Sequence, residues 1–164
     1  MPAACFLNIG YDHISPIEHP DFEDYFASKL KIFAQAHISC VNLDCDHAQR
    51  VMEAAQAAGA PIITFSQKDP SAQVYASDVH KEDGQILFTL RTPRYTRQMR
   101  LTMPGLFNVE NALGAAALCE ALDIPEWAVY DGLVRAGCRP HGGVRQRRRA
   151  GAVHCGLRPQ PPEL

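Results

Sequence analysis

The fold is decided by residues 38–65, ISCVNLDCDHAQRVMEAAQAAGAPIITF. Residues 38–43 form a short apolar run that favours a buried strand, and residues 46–58 form an alanine-rich segment that predicts a helix. Gly59 follows at the position where a glycine commonly ends a helix. Residues 61–65 predict a second strand. A strand, a helix and a second strand in this order predict two parallel strands joined by a crossover helix.

The alternation continues on both sides of this stretch. Residues 3–9 predict an earlier strand, and residues 22–36 have helical spacing, with Asp21 as the N-cap. After residue 74 the pattern changes to alternating segments, which predict antiparallel strands at a sheet edge. The later elements are two strands and two helices, predicted at residues 85–91, 96–103, 108–122 and 125–136. The predicted fold class is α/β, with a mostly parallel sheet, flanking helices and an antiparallel edge segment.

Composition limits the kinds of protein that this chain can be. Its 164 residues, 46% of them hydrophobic, are enough for one globular domain with its own core. No run of about 18 apolar residues could span a bilayer, and the first residues do not have the pattern of a signal peptide. The six cysteines include no CxxC pair, which favours reduced thiols. We therefore expect a cytoplasmic protein with no membrane partner, and the net charge of −2 predicts no nucleic-acid partner.

A dense group of ionisable residues lies in residues 12–29, DHISPIEHPDFEDYFASK, with two histidines, five carboxylates and Lys29. The loop that holds Asp12 and His13 follows the first predicted strand, and such loops form the ligand crevice of doubly wound sheets. Carboxylates suit Mg²⁺, while paired histidines suit zinc or another transition metal. A solvated acidic loop whose carboxylates cap a helix is the alternative that the residues alone leave open.

Three motifs in a fixed order carry a family resemblance. They are residues 8–13 (NIGYDH), 25–29 (YFASK) and 105–112 (GLFNVENA), and residues 41–44 (VNLD) also fit. Together they resemble the Mur ligases, the ATP-dependent enzymes that add amino acids to the peptide of UDP-N-acetylmuramic acid in peptidoglycan synthesis. Within residues 4–138 the similarity is greatest to the branch that adds the third residue to UDP-N-acetylmuramoyl-dipeptide.

The resemblance implies roles for individual residues around a metal ion. The lysine at the position of Lys29 is carbamylated by CO₂ in this family, and the carbamate helps to hold Mg²⁺ at the γ-phosphate of ATP. His13 matches a metal ligand, and Asp12 would support it. Tyr25 precedes Lys29 by four residues and therefore shares its helix face, where it could orient that group.

The resemblance also assigns Asn108 and Asn111 to the adenine base of ATP. Amide side chains can both donate to and accept from a base edge. Helix capping is the alternative role for two asparagines in the first turn of a predicted helix.

The implied reaction is amide-bond formation through an acyl phosphate, with ATP and Mg²⁺ as cofactors. A UDP-muramoyl peptide and an amino acid would be the substrates of the full-length enzyme. The chain contains no GxxxxGK[ST] sequence, the loop that cradles ATP phosphates. We therefore expect residues 1–138 to be the C-terminal part of a Mur ligase central domain, a fragment that is inactive alone. The sequence does not indicate an oligomeric state or the amino acid that is added.

Residues 139–164 form a basic tail with a different composition. They hold six arginines and one acidic residue, whereas residues 1–138 hold 10 basic and 17 acidic residues, a formal charge of −7. The family has Gly-Arg-Met-Glu and Asp-Tyr-Ala-His-Asn motifs beyond this point. Codons that encode residues 139–144 and 156–161 can also encode these motifs when read one base later. We predict an out-of-frame, disordered tail; a native basic arm is the alternative.

Two other functions are compatible with the residues. The first is a metal-dependent hydrolase that uses Asp12, His13, Glu18 and His19. The second is a non-catalytic nucleotide-binding or interaction module with a basic arm.

Overall fold

The structure is a computed structural model that describes residues 1–10, 21–103 and 105–136. The strands in these ranges are β1 (Ala4–Phe6), β2 (Ser39–Asn42), β3 (Ile62–Ser66), β4 (Val74–Glu82), β5 (Gln85–Arg91) and β6 (Thr96–Leu101). The helices are α1 (Phe22–Leu30), α2 (Ala48–Ala57), α3 (Phe107–Ala121) and α4 (Glu126–Arg135), with a short 3₁₀ helix at Phe33–Gln35. The basic tail lies outside the described residues.

The described strands form one six-stranded sheet in the order β1-β2-β3-β4-β5-β6. The first four strands are parallel, with Cys5 beside Cys40 and Cys40 beside Ile63 in register. The last two are antiparallel to their neighbours. This arrangement confirms the predicted α/β class, including its antiparallel edge.

Helices cover both faces of the parallel part of the sheet. Phe65 and Leu113 belong to a core under α3 and α4, while Phe26 and Val51 belong to a core under α1 and α2. Neighbouring residues of a strand point to opposite faces, and in β2 Cys40 belongs to the first core and Val41 to the second. Both are fully buried, so β2 is enclosed on both sides.

The predicted helix over residues 22–36 is shorter in the structure. Its start is confirmed, because the Asp21 carboxylate accepts a hydrogen bond from the Asp24 amide at 2.9 Å. The helix ends at Leu30, and hydrogen bonds between residues three apart form the 3₁₀ helix that follows. This tighter segment buries Phe33, whose ring centroid lies 6.1 Å from that of Phe6. Phe33 therefore packs on the first strand from a 3₁₀ helix, and the α-helix does not continue to residue 36 as its spacing predicts.

The next helix begins later than the spacing predicts. Residues 46 and 47 stay outside α2 because His47 adopts a left-handed conformation, with φ of 60°. Its end agrees with the prediction, since Gly59 has φ of 75°, a conformation that favours glycine.

Two arginines join the antiparallel strands to the last two helices. Arg94 donates to Glu120 at 2.8 Å and to the carbonyl oxygen of Ile124 at 2.9 Å. Arg97 pairs with Glu126 at 2.7 Å, and its guanidinium carbon lies 3.8 Å from the centroid of the Tyr130 ring. These contacts tie β6 and the preceding turn to α3 and α4.

Two helix glycines allow a matched test of packing against the sheet. A Cβ atom at Gly114 would lie 2.9 Å from Leu7 Cδ2, whereas a Cβ atom at Gly132 would meet nothing within 4 Å. We expect Gly114→Leu to lower the free energy of unfolding by about 1–3 kcal/mol through overpacking. Gly132→Leu should leave it unchanged or raise it by up to about 1 kcal/mol through helix propensity. Urea unfolding followed by circular dichroism measures both, and equal effects would contradict the close packing of α3.

Buried thiols predict a loss of stability at high pH. Burial raises the pKa of the Cys40 thiol from 9.0 to about 12. The folded state therefore holds this proton more tightly than the unfolded state, so its stabilisation is complete below pH 9 and is lost as pH rises toward 12. The unfolding free energy should fall by up to about 1.4 kcal/mol per pH unit for this group. In Cys40→Ala the fall should be shallower, and identical slopes in urea unfolding series from pH 8 to 11 would contradict the assignment.

Candidate functional site

The strand ends and the start of α3 meet at one edge of the sheet. The parallel strands β1, β2 and β3 end there. Strand β4 is parallel to β3, β5 runs in the opposite direction, and β6 reverses again, so β6 also ends at this edge. The helix α3 follows β6 and packs across β1 to β4. Burial raises the pKa of the Cys45 thiol, just after β2, to about 11, and the Asp46, Asp44 and Glu110 carboxylates add to this rise. Because α3 begins shortly after the end of β6, its first turn, which holds Glu110, lies at this edge.

A pocket of about 420 Å³ opens between the end of β1 and α1. Residues 5–10 form one wall, and Tyr25, Lys29 and Ile32 form the other. Tyr25 is buried, and the Lys29 ammonium nitrogen lies 5.2 Å from the centroid of its ring. The predicted proximity of Tyr25 and Lys29 is confirmed. The pocket has room for a group bound to the exposed lysine amine.

A buried amide joins the ends of the first two strands. Asn42 is 1% exposed, and its Nδ2 donates to the carbonyl oxygen of Leu7 at 2.9 Å. Its Oδ1 accepts from the Asp44 amide at 3.0 Å. Since Leu7 and the residues after it form one wall of the pocket, Asn42 fixes that wall to β2.

A carboxylate and a hydroxyl continue this connection to the third strand. Asp44 accepts from the Ser66 hydroxyl and from the Gln67 amide, each at 2.6 Å. Ser66 in turn accepts from the amides of Lys68 and Asp69 at 2.9 and 2.7 Å. The loop after β3 is therefore held in one conformation by side chains of the strand ends.

Sequence reasoning did not assign roles to Asn42, Asp44 and Ser66. Asn42 and Asp44 lie within residues 41–44, which carried part of the family resemblance, but no role was inferred for them. The available indication was that each follows or ends a buried apolar strand, where a polar side chain faces the ligand crevice of a parallel sheet.

The two asparagines of α3 lie together in its first turn. Asn108 is 8% exposed, whereas Asn111 is exposed. The Asn111 Nδ2 donates to the Asn108 Oδ1 at 3.3 Å. Neither asparagine occupies the N-cap position, which is Leu106, without a side-chain hydrogen bond. The amide pair instead presents polar atoms at the same edge as the lysine pocket.

Four of the predicted metal ligands lie outside the described residues: Asp12, His13, Glu18 and His19. Within the described ranges, no group of three or more histidine, cysteine, aspartate or glutamate side chains could hold a metal ion. Lys29 lines the pocket between the end of β1 and α1.

Two further observations concern general properties of the described ranges. Cys5, Cys40, Cys45 and Cys119 are all free thiols. None of the helices there has the length and apolar character needed to cross a membrane.

Comparison with known proteins identifies the family. Residues 1–119 match the model of the Mur ligase middle domain. The chain belongs to the Mur ligase family. This finding confirms the resemblance carried by the three motifs.

Two similar curated Mur ligases are named for the same acceptor, UDP-N-acetylmuramoyl-L-alanyl-D-glutamate, but for different incoming amino acids. The chain is 35% identical over 115 residues to the UDP-N-acetylmuramoyl-L-alanyl-D-glutamate--L-lysine ligase of Enterococcus faecalis, covering 68% of this chain and 22% of that ligase. It is 34% identical over 122 residues to the corresponding 2,6-diaminopimelate ligase of Pseudomonas syringae, covering 73% and 24%. The chain thus spans about a quarter of the length of the curated relatives it matches.

A solved Mur ligase has the same fold. The crystal structure of MurF from Acinetobacter baumannii superposes with a TM-score of 0.72 at 26% identity, over 84% of this chain and 29% of that one. The six-stranded sheet and its helices therefore correspond to part of a Mur ligase central domain.

The hydrogen bonds of Asp44 predict a specific loss of stability. Asp44→Ala leaves the Gln67 amide and the Ser66 hydroxyl without their acceptor, and we expect the free energy of unfolding to fall by about 1–3 kcal/mol. Asp46, an exposed carboxylate two residues away, supplies the matched control. Asp46→Ala should change stability by less than about 0.5 kcal/mol. Urea unfolding compares the two variants, and similar losses would show that the network does not hold the loop.

Proposed function

We propose that this chain carries part of the ATP site of a cytoplasmic ligase that adds the third amino acid to UDP-N-acetylmuramoyl-dipeptide. The observation that supports this most directly is the position of Lys29. Its amine lies above the Tyr25 ring in a pocket at the carboxyl edge of the sheet, the edge at which α3 presents two amides. Lys29 and Asn111 are both exposed, so neither side chain belongs to a core.

Lys29 would act after reaction with CO₂. The ammonium first loses a proton to give a neutral amine, whose nitrogen lone pair forms a bond to the carbon of CO₂ as one C–O π bond breaks. Loss of a second proton from the nitrogen leaves a carbamate anion with two oxygen atoms. Tyr25 supports the lysine stem from one side and thereby limits where those oxygens lie. Lys29, with His13 and Asp12, would hold Mg²⁺, whose contribution is to neutralise charge during phosphoryl transfer.

Asn108 and Asn111 would bind the adenine base at the other part of the site. Asn111 is exposed at the start of α3, and its bond to Asn108 Oδ1 fixes the orientation of its amide. An oriented amide can pair with both a donor and an acceptor on the base edge.

The whole reaction needs groups that this sequence does not contain. The 164 residues include no GxxxxGK[ST] loop to cradle the phosphates of ATP. We therefore propose that the chain by itself binds part of the nucleotide but completes no ligation. Since similar curated ligases add either lysine or 2,6-diaminopimelate, the incoming amino acid is not assigned.

Carbamylation of Lys29 can be observed directly. Protein incubated with ¹³C-bicarbonate and Mg²⁺ should show one carbamate carbon signal by NMR. Lys29→Gln should abolish that signal. Lys31→Gln, which removes another exposed lysine two residues away, should leave it intact.

The result that would contradict the proposal is a wild-type sample with no carbamate signal, or a signal that survives Lys29→Gln. The same samples, given Mg·ATP, UDP-N-acetylmuramoyl-dipeptide and either amino acid, should release no phosphate. Phosphate release with ligated product would show that the chain is a complete catalyst.

A further inference from the structure

Two of the free thiols lie side by side on neighbouring strands. Cys5 in β1 and Cys40 in β2 are register partners in the parallel pairing of these strands. Cys45 follows β2 and Cys119 lies in α3, so no other cysteine in the described ranges has a cysteine as its strand partner. Buried cysteines often serve as small apolar residues, so this pair gains meaning only from its geometry.

Both side chains point to the same face of the sheet. Cys40 belongs to the core under α3 and α4, and Cys5 packs against that core. The next register pair, Phe6 and Val41, belongs to the opposite core, as the alternation along a strand requires. The Cys5 sulfur lies against α3, since a Cβ atom at Gly114 would be 3.3 Å from it. The two thiols are therefore neighbours between the sheet and α3.

The spacing of the strands is compatible with a covalent bond between these sulfurs. Neighbouring strands lie about 4.8 Å apart, and disulfides join residues whose Cα atoms are roughly 4.4–6.8 Å apart. Burial raises the pKa of each thiol to about 12, and the nearby Cys40 adds to the rise at Cys5. The effect of one thiol on the pKa of the other agrees with the register in placing them close together.

The two thiols differ in their access to solvent. Cys40 is 0% exposed, whereas Cys5 is half-buried in the strand at the edge of the described sheet. A reagent from solvent therefore reaches Cys5 first. Cys40 needs no contact with the reagent, because its reaction partner would be the Cys5 sulfur beside it.

We propose that Cys5 and Cys40 form an oxidisable dithiol, which a small-molecule disulfide such as glutathione disulfide converts to an intramolecular disulfide. This modification site is separate from the proposed ligase chemistry and does not depend on it. The bond would join β1 to β2 two residues before Leu7, whose carbonyl oxygen accepts from Asn42. The pocket wall formed by residues 5–10 would then be attached to β2 by a covalent bond as well as by hydrogen bonds.

The conversion consists of two thiol–disulfide exchanges. The Cys5 thiol loses its proton, and the thiolate attacks one sulfur of glutathione disulfide, whose S–S bond breaks and releases one glutathione thiolate. The Cys40 thiol then loses its proton, and its thiolate attacks the Cys5 sulfur of the mixed disulfide and releases the second glutathione. Two protein thiols are oxidised, and one glutathione disulfide is reduced to two glutathione thiols, which take up the two protons.

The test treats the folded full chain with glutathione disulfide at pH 8.5, because thiols of high pKa react slowly at neutral pH. A Cys138→Ser/Cys155→Ser background leaves the four cysteines of the described ranges. The number of thiols that react with Ellman's reagent in urea should fall from four to two. Mass spectrometry of a non-reduced tryptic digest should find the Cys5 peptide linked to the Cys40 peptide, and dithiothreitol should restore all four thiols.

Single variants make the assignment specific. Cys5→Ala should lose no thiols, and Cys40→Ala should stop at a mixed disulfide between Cys5 and one glutathione. Cys45→Ala and Cys119→Ala, which remove the other two thiols, should still lose two. Since Cys5 is half-buried at a sheet edge, Cys5→Ala keeps the test decisive if the buried Cys40→Ala variant does not fold.

Three results would overturn the inference. The first is a folded chain that keeps all four thiols under conditions in which the urea-unfolded chain is oxidised. The second is a Cys5–Cys5 link between two copies, seen as a dimer on a non-reducing gel. The third is a linked peptide pair other than Cys5 with Cys40. The Lys29 carbamate signal is measured on the reduced chain, so none of these results decides the proposed function.

Discussion

The enclosure of the parallel strands on both faces is the constraint on which the rest of the structure depends. A strand such as β2 buries neighbouring side chains in two different cores, so apolar residues occupy both of its sides. Its polar residues, Ser39 and Asn42, lie at its two ends. Side chains that could bind a ligand are therefore expected at the edge at which the parallel strands end, where they can reach solvent and one another.

The strand ends at this edge are joined by a continuous set of hydrogen bonds. Asn42 connects β1 to β2, and Asp44 with Ser66 connects β2 to β3. Each of these polar atoms is buried or partly buried, and each has a partner that would be left unsatisfied without it. These hydrogen bonds hold the pocket wall that faces Lys29 and the loop that follows β3. Asn42, Asp44 and Ser66 do not line the pocket themselves.

The sequence predicted the sheet better than it predicted the site. The strands and helices follow from hydrophobic spacing, which reflects burial directly, and the errors occur where tertiary contacts decide. Packing of Phe33 on Phe6 shortens the helix that begins at Phe22, and the left-handed His47 delays α2. Lys29 and Tyr25 were found through a motif and helix geometry. The partners of Asp44 are 22 and 23 residues away along the chain, so no local pattern predicts them.

The arginine contacts of Arg94 and Arg97 have a consequence for how the molecule opens. They attach β6 and its preceding turn to α4 and to the end of α3, the helix whose first turn holds Asn108 and Asn111. Local opening of the β5–β6 hairpin would therefore loosen α3 along with it, since contiguous elements open as cooperative units. The antiparallel hairpin, which contributes none of the residues assigned to the site, thus belongs to the same opening unit as the amide pair.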